Sequence, residues 1–380
     1  MNTLTTNIHN KVIKSCFFLI IGFITNVSVI IAQETAFFAI GSGKSTEIKD
    51  QGEINADWVY ATISFIESEA IRKGKSEFDL SEMFILYHNY MKKMKWLLNL
   101  NSKMCLNEYG QPQDVLKIMS EYGVVPEESF TGNNYGTVHN HTEMLKKIND
   151  LLNIYSTEQK QISDSILIKT TKILEEYLGQ IPSKFKYKNK GYTPQGFMQK
   201  ALDINPDDYI ELTSYSHKRF YSLIDFEKSE NGTHSEYLNF PIYGVIMAMN
   251  IALINGYTMV WTGDVNQPGY LSDDYFDNAL AVLTWNDKKA LNIMSMQEYR
   301  QKNFHENTAI QHHSLHIVGF EFNQSFDEVY YLAKDSYGKK GKSNGYILLS
   351  EDYIKLNTHS IMFHKDIIKL THYLDVINGY

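Results

Sequence analysis

The feature that most limits the fold is a change of texture along the chain. From Asp57 to about Pro206 the readable segments have helical periodicity, whereas from Tyr237 onward strands predominate, with one more helix. A helical first half followed by a β-rich second half points to an α+β fold. The first helical pattern sets the frame. Trp58, Ala61, Thr62, Phe65 and Ile66 recur at i, i+3, i+4 spacing and predict a largely buried helix over 57–73, closed by Lys73-Gly74. The polar turn Asp50-Gln51-Gly52 leads into it and puts Asp57 at its N-terminus, where a carboxylate suits the unpaired N–H groups. By itself, that makes Asp57 an N-cap.

A second helix is expected from Met83, with Ser81 as its N-cap. Residues 137–206 are helix-rich and carry little glycine, which suggests an all-α packing insertion without chemistry; His139-Asn140-His141 reads as a surface loop. Phe240–Tyr257 predicts a helix, and Tyr257–Val265, His312–Phe322, Glu328–Ser336 and Gly345–Ile354 predict strands.

The N-terminus reads as an export signal. Lys11 and Lys14 precede an apolar run, Phe17 to Ala32, that ends on a small residue, so residues 1–32 are expected to be a signal peptide. Its removal leaves Cys105 as the one cysteine, and no intramolecular disulfide. A net charge of −8 carries no polycationic footprint, so no nucleic-acid partner is expected. Asn231-Gly232-Thr233 and Asn323-Gln324-Ser325 match the glycosylation pattern, which short motifs also meet by chance.

Several stretches resemble the papain-like cysteine peptidases. Gln51 stands six residues before Asp57-Trp58, as Gln stands before Cys-Trp at the head of the catalytic helix in that family; "EFDLSEMFILYHNY" is similar to the helix that follows it. "YGVVPEESF" and "LDINPDDYIELTSYSHKRFY" are close to the aminopeptidase C and bleomycin hydrolase branch. The resemblance implies a papain-like two-lobed fold: a helical lobe at about 45–136, a helical insertion at about 137–206 and a β-rich lobe at about 237–365, all within a peptidase domain spanning 33–380.

It also implies a site. His313 matches the catalytic His, Asp335 falls at the orienting Asn, Tyr337 stands for the Trp after it, and Gln51 is the oxyanion donor. Trp58, Gly110 and Tyr109 fall among the substrate-binding positions, Tyr109 replacing the first glycine of a Gly-Gly pair and expected to intrude on the cleft. Asp57 occupies the nucleophile position. A carboxylate is a weak nucleophile toward an amide, and losing a triad nucleophile costs on the order of 10⁶ in rate in a serine protease. The implied function is therefore a pseudopeptidase with a peptide or protein ligand in its cleft, without cofactor, in a homo-oligomer. Two other readings remain open at this stage. In one, an Asp57–His313 pair activates water for amide hydrolysis. In the other, Asp57, His313 and Asp335 bind zinc or iron with His312 or His316, but strand alternation turns both of these histidines away from His313.

Overall fold

The computed structural model describes residues 38–100, 105–157, 164–226, 235–265, 269–271, 280–306, 312–322 and 328–371. The signal-peptide segment, both Asn-x-Ser/Thr motifs and the last nine residues lie outside these. No described helix is long and apolar enough to cross a membrane.

Strand β1 (Phe38–Ser42) precedes a helical block of α1 (Asp57–Arg72), α2 (Glu82–Leu100), α3 (Pro112–Tyr122), α4 (Thr142–Thr157) and α5 (Asp164–Leu178). A small hairpin, β2 (Phe185–Tyr187) and β3 (Lys190–Tyr192), and the helical turns Pro194–Phe197 and Met198–Leu202 complete it. Then come β4 (Tyr209–Thr213), β5 (Ser222–Phe226), β6 (Ser235–Asn239), α6 (Ile242–Ile254), β7 (Met259–Asp264), β8 (Tyr270–Leu271) and β9 (Leu280–Ala281). The chain continues through α7 (Trp285–Leu291), α8 (Met296–Glu306), β10 (His312–Phe322), β11 (Val329–Lys334), β12 (Tyr346–Ser350), α9 (Glu351–Asn357), β13 (Thr358–His364) and α10 (Asp366–Leu370).

This is the expected α+β architecture. One mixed sheet runs β5-β6-β4-β13-β7-β10-β11-β12-β9-β8, with β1 added to β10. It separates two apolar cores. One gathers α1 to α5 and takes in Val260 and Met362 from the sheet; the other holds α6 and α9 against Leu212, Trp261, Leu315 and Ile361 on the opposite face. Helix α1 is the centre of the first. From Trp58 to Ala70 every residue is buried, so it is enclosed on all sides rather than amphipathic.

Five expectations are corrected. The insertion at 137–206 is not all-α: Lys188 and Asn189 adopt positive φ (46° and 63°) and close the β2–β3 hairpin. The strand-rich half starts at Tyr209, not Tyr237, because Tyr209–Thr213 joins β13 and β6. "GYILLSEDYI" is a strand only to Ser350, whose Oγ accepts the Tyr353 N–H (3.2 Å) and caps α9. The β-rich half carries α7, α8 and α10 as well. His141 is buried rather than in a surface loop, its Nδ1 lying 2.8 Å from Tyr90 Oη and 3.2 Å from Glu108.

Candidate active site

The head of α1, the start of β10 and the end of β11 converge. Asp57 is the first residue of α1 but does not cap it: the N-cap position is Ala56, with no side-chain bond. Its carboxylate instead crosses to the sheet, where Oδ2 accepts the Ser314 N–H at 2.7 Å and lies 3.5 Å from His313 Nδ1. On the other side of the ring, His313 Nε2 is 2.9 Å from Asp335 Oδ1, and that oxygen also accepts the Ser336 N–H (2.8 Å). Tyr337 lies flat beside the imidazole, ring centroids 5.7 Å apart and planes 3° from parallel.

Charge follows from this geometry. Burial alone would keep His313 neutral, but Asp335 and Asp57 outweigh it and push the imidazole up to about 9. Burial pushes Asp57 up, opposed by His313, by Ser314 N–H and by its own backbone N–H. At neutral pH the site is thus an imidazolium between two carboxyl groups. Such a ring donates protons and does not accept them. Of the N–H groups at the helix head, Asp57's own favours its carboxylate.

Gln51 is held at both ends of its amide. Its Oε1 accepts from Ser336 Oγ and its Nε2 donates to Ile54 O, both at 2.5 Å, leaving one amide hydrogen for a ligand. Backbone bonds from Gln51 N to Ser336 O (2.7 Å) and from Gly338 N to Lys49 O (3.1 Å) tie this turn to the loop after Asp335. Among the described residues, no group of three or more His, Cys, Asp or Glu side chains is gathered to hold a metal ion. His316 is placed elsewhere: its Nδ1 is 2.9 Å from Ser64 Oγ, about two helical turns along α1 from Asp57. His312 packs against His359 at a tilt, ring centroids 4.4 Å apart and planes 54° from parallel.

A sequence model of the Peptidase C1-like family matches residues 23–376. The chain belongs to the Peptidase C1-like family. Aminopeptidase C of Listeria monocytogenes serovar 1/2a is 22% identical over 367 residues, covering 84% of this chain and 80% of its own. Aminopeptidase C of Streptococcus thermophilus is 20% identical over 373 residues, with 85% and 81% covered. The crystal structure of PepW from Lactobacillus rhamnosis superposes with a TM-score of 0.71 at 17% identity, over 90% of this chain and 84% of that one. The chain is thus homologous to aminopeptidase C and shares the papain-like fold.

In this Peptidase C1-like chain the strand of loop beside the helix head is set by a residue that spacing did not single out. Glu108 Oε2 accepts the Asn55 N–H (2.8 Å), its Oε1 faces Tyr90 and His141, and its carbonyl accepts Trp58 Nε1–H (3.0 Å). Burial works against its charge, yet His141 and the Asn55 N–H hold the carboxyl below its ordinary value. No sequence motif marks Glu108, since its partners come from three separate segments. Gly110 follows from the same contact: a Cβ there would come within 2.5 Å of the Trp58 ring. Gly110→Ala is expected to destabilise the fold by about 1–3 kcal/mol, the usual cost of overpacking, read as a lower urea midpoint at unchanged slope. Tyr109 is 56% exposed, its carbonyl held by Lys93 Nζ. Cys105 is exposed, in the loop before Glu108 and not on α1.

Proposed function

We propose that this chain is an exported pseudopeptidase of the aminopeptidase C type, which binds peptides in the cleft beside α1 without turning them over. One observation carries the reading: a carboxylate at the first position of α1, 3.5 Å from His313 Nδ1, with Asp335 2.9 Å from the ring's other nitrogen. A thiolate–imidazolium pair is also a minus beside a plus, so Asp57 keeps the electrostatics of that site and loses its nucleophile. Trp58, Gly110 and the free hydrogen of Gln51 remain as elements that position an extended chain. Export rests on the Lys11, Lys14 and Phe17–Ala32 pattern.

Titration calorimetry with short peptides tests this, with an epoxide thiol probe as control. Saturable binding with no probe attached at the cleft is the expected result. Labelling there, or steady release of amino acids from the same peptides, contradicts it.

A second reading, in which Asp57 takes a proton from water for amide hydrolysis, is favoured by one fact: burial raises the Asp57 carboxyl and so makes it a better base. It requires that Asp57→Ala and His313→Ala each abolish a measurable peptidase rate in the native chain.

A further inference from the structure

One stretch away from the Asp57–His313–Asp335 centre carries charge of a single sign. Residues 177–202 hold five lysines, Lys184, Lys186, Lys188, Lys190 and Lys200, and no Asp or Glu, although the chain has 44 acidic residues and a net charge of −8. Four of the five fall on alternate positions along the β2–β3 hairpin, and all five are exposed. Among the described residues, none of them is in an ion pair, and Lys188 Nζ lies 3.4 Å from the neutral Ser76 Oγ. The acids at the margin are Glu77, next to Ser76, and Asp203, which pairs with Lys75 (3.4 Å).

The hairpin register explains the display. Phe185 pairs with Tyr192, Lys186 with Gly191 and Tyr187 with Lys190, and paired residues share a face. Phe185, Tyr187 and Tyr192 therefore lie on one side, where all three rings meet Phe197 edge-on, with centroids 5.3, 5.1 and 5.4 Å away. Phe78 closes this cluster against the body of the protein, 5.8 Å from Tyr187 and 5.7 Å from Phe197. Alternation turns Lys184 and Lys186 to the other side, beside Gly191, where an added Cβ would meet nothing within 4 Å. Lys188 and Lys190 lie over the Tyr187 and Tyr192 rings, 5.2 and 5.5 Å from the centroids, and remain exposed.

Both strands of this two-stranded sheet are edges, and lysine keeps an edge from pairing with another chain. That purpose does not call for a single sign, and a merely solvated surface intersperses acids with bases. A face of lysines alone fits an anionic partner, and its chemistry selects which. Sites for single-stranded nucleic acid present aromatic rings for bases to stack on, whereas these three rings are already packed on Phe197. Protein interfaces are poor in lysine and centre on arginine and aromatic anchors, and residues 177–202 contain no arginine. A flat face of lysines suits a flat layer of negative charge. We propose that the β2–β3 hairpin docks the protein onto an anionic lipid bilayer, with Lys184, Lys186, Lys188 and Lys190 among the headgroups. Each lysine near such a surface tightens binding about fivefold, so four supply on the order of 10²–10³.

Sedimentation of the full chain with vesicles tests this, comparing mixed phosphatidylglycerol–phosphatidylcholine with phosphatidylcholine alone at about 0.1 M salt. Any pull from the apolar run Phe17–Ala32 is common to both, so the readout is the ratio of the two affinities. The anionic vesicles should be favoured by on the order of 10²-fold, a preference that collapses toward ~1 M salt. Lys184→Gln, Lys186→Gln, Lys188→Gln and Lys190→Gln combined should remove it without lowering the thermal midpoint, since all four side chains are exposed. The same four positions changed to Arg should retain it. Equal binding to both vesicles, or a preference that survives the glutamine variant, overturns the assignment. So does tighter binding of a double-stranded oligonucleotide than of the anionic vesicles.

Discussion

Replacing Asp57 with cysteine and Asp335 with asparagine together should create peptidase activity, with kcat/KM on aminoacyl amides at least ~10³ above the native chain. The size follows from what a triad nucleophile contributes, on the order of 10⁶ in a serine protease, reduced because this cleft has not been selected for turnover. The position is already prepared. Residue 57 opens a fully buried helix, faces His313 Nδ1 at 3.5 Å and has the Gln51 amide nearby on a turn fixed to Ser336. Asp57→Cys alone should give less, because Asp335 holds the imidazole protonated and an asparagine there orients the ring without trapping its proton. A folded double variant that neither hydrolyses nor reacts with an epoxide probe would show that the site lacks more than a sulfur atom.

The second large effect is on stability. His313 stands at about 9 in the folded chain, above the ordinary histidine value near 6.5. A group raised on folding contributes stability that is complete below the unfolded value and is lost as pH rises through the folded one. The window is therefore pH 6.5 to 9, and the loss across it is about 3 kcal/mol, little screened because the ring is 8% exposed. Denaturant midpoints measured at pH 6 and pH 10 should differ in that direction, and the difference should shrink in Asp335→Asn.

Much of this was legible in the sequence because it depends on local spacing. The helix from Asp57, its close at Gly74 and the full length of β10 from His312 to Phe322 all follow from periodicity and end signals. Where the structure departs, the cause is tertiary. Asp57 has the position of a cap, but the Ser314 N–H on another element offers it a better partner. His141 looks like a loop residue until Glu108 and Tyr90 draw it inside. Strand β13 was missed since "THSIMFH" is read as strand only once β4 and β7 flank it and bury five of its last six positions. Glu108 carries no local signal at all: it is defined by its partners from distant segments.

The most direct measurement is a nuclear magnetic resonance titration of the His313 ring in the native chain and in Asp57→Asn. An imidazolium held between two carboxyl groups titrates near pH 9 and moves downward when Asp57 loses its charge. A midpoint at the ordinary histidine value in the native chain, unmoved by that substitution, would contradict the pairing on which the account rests.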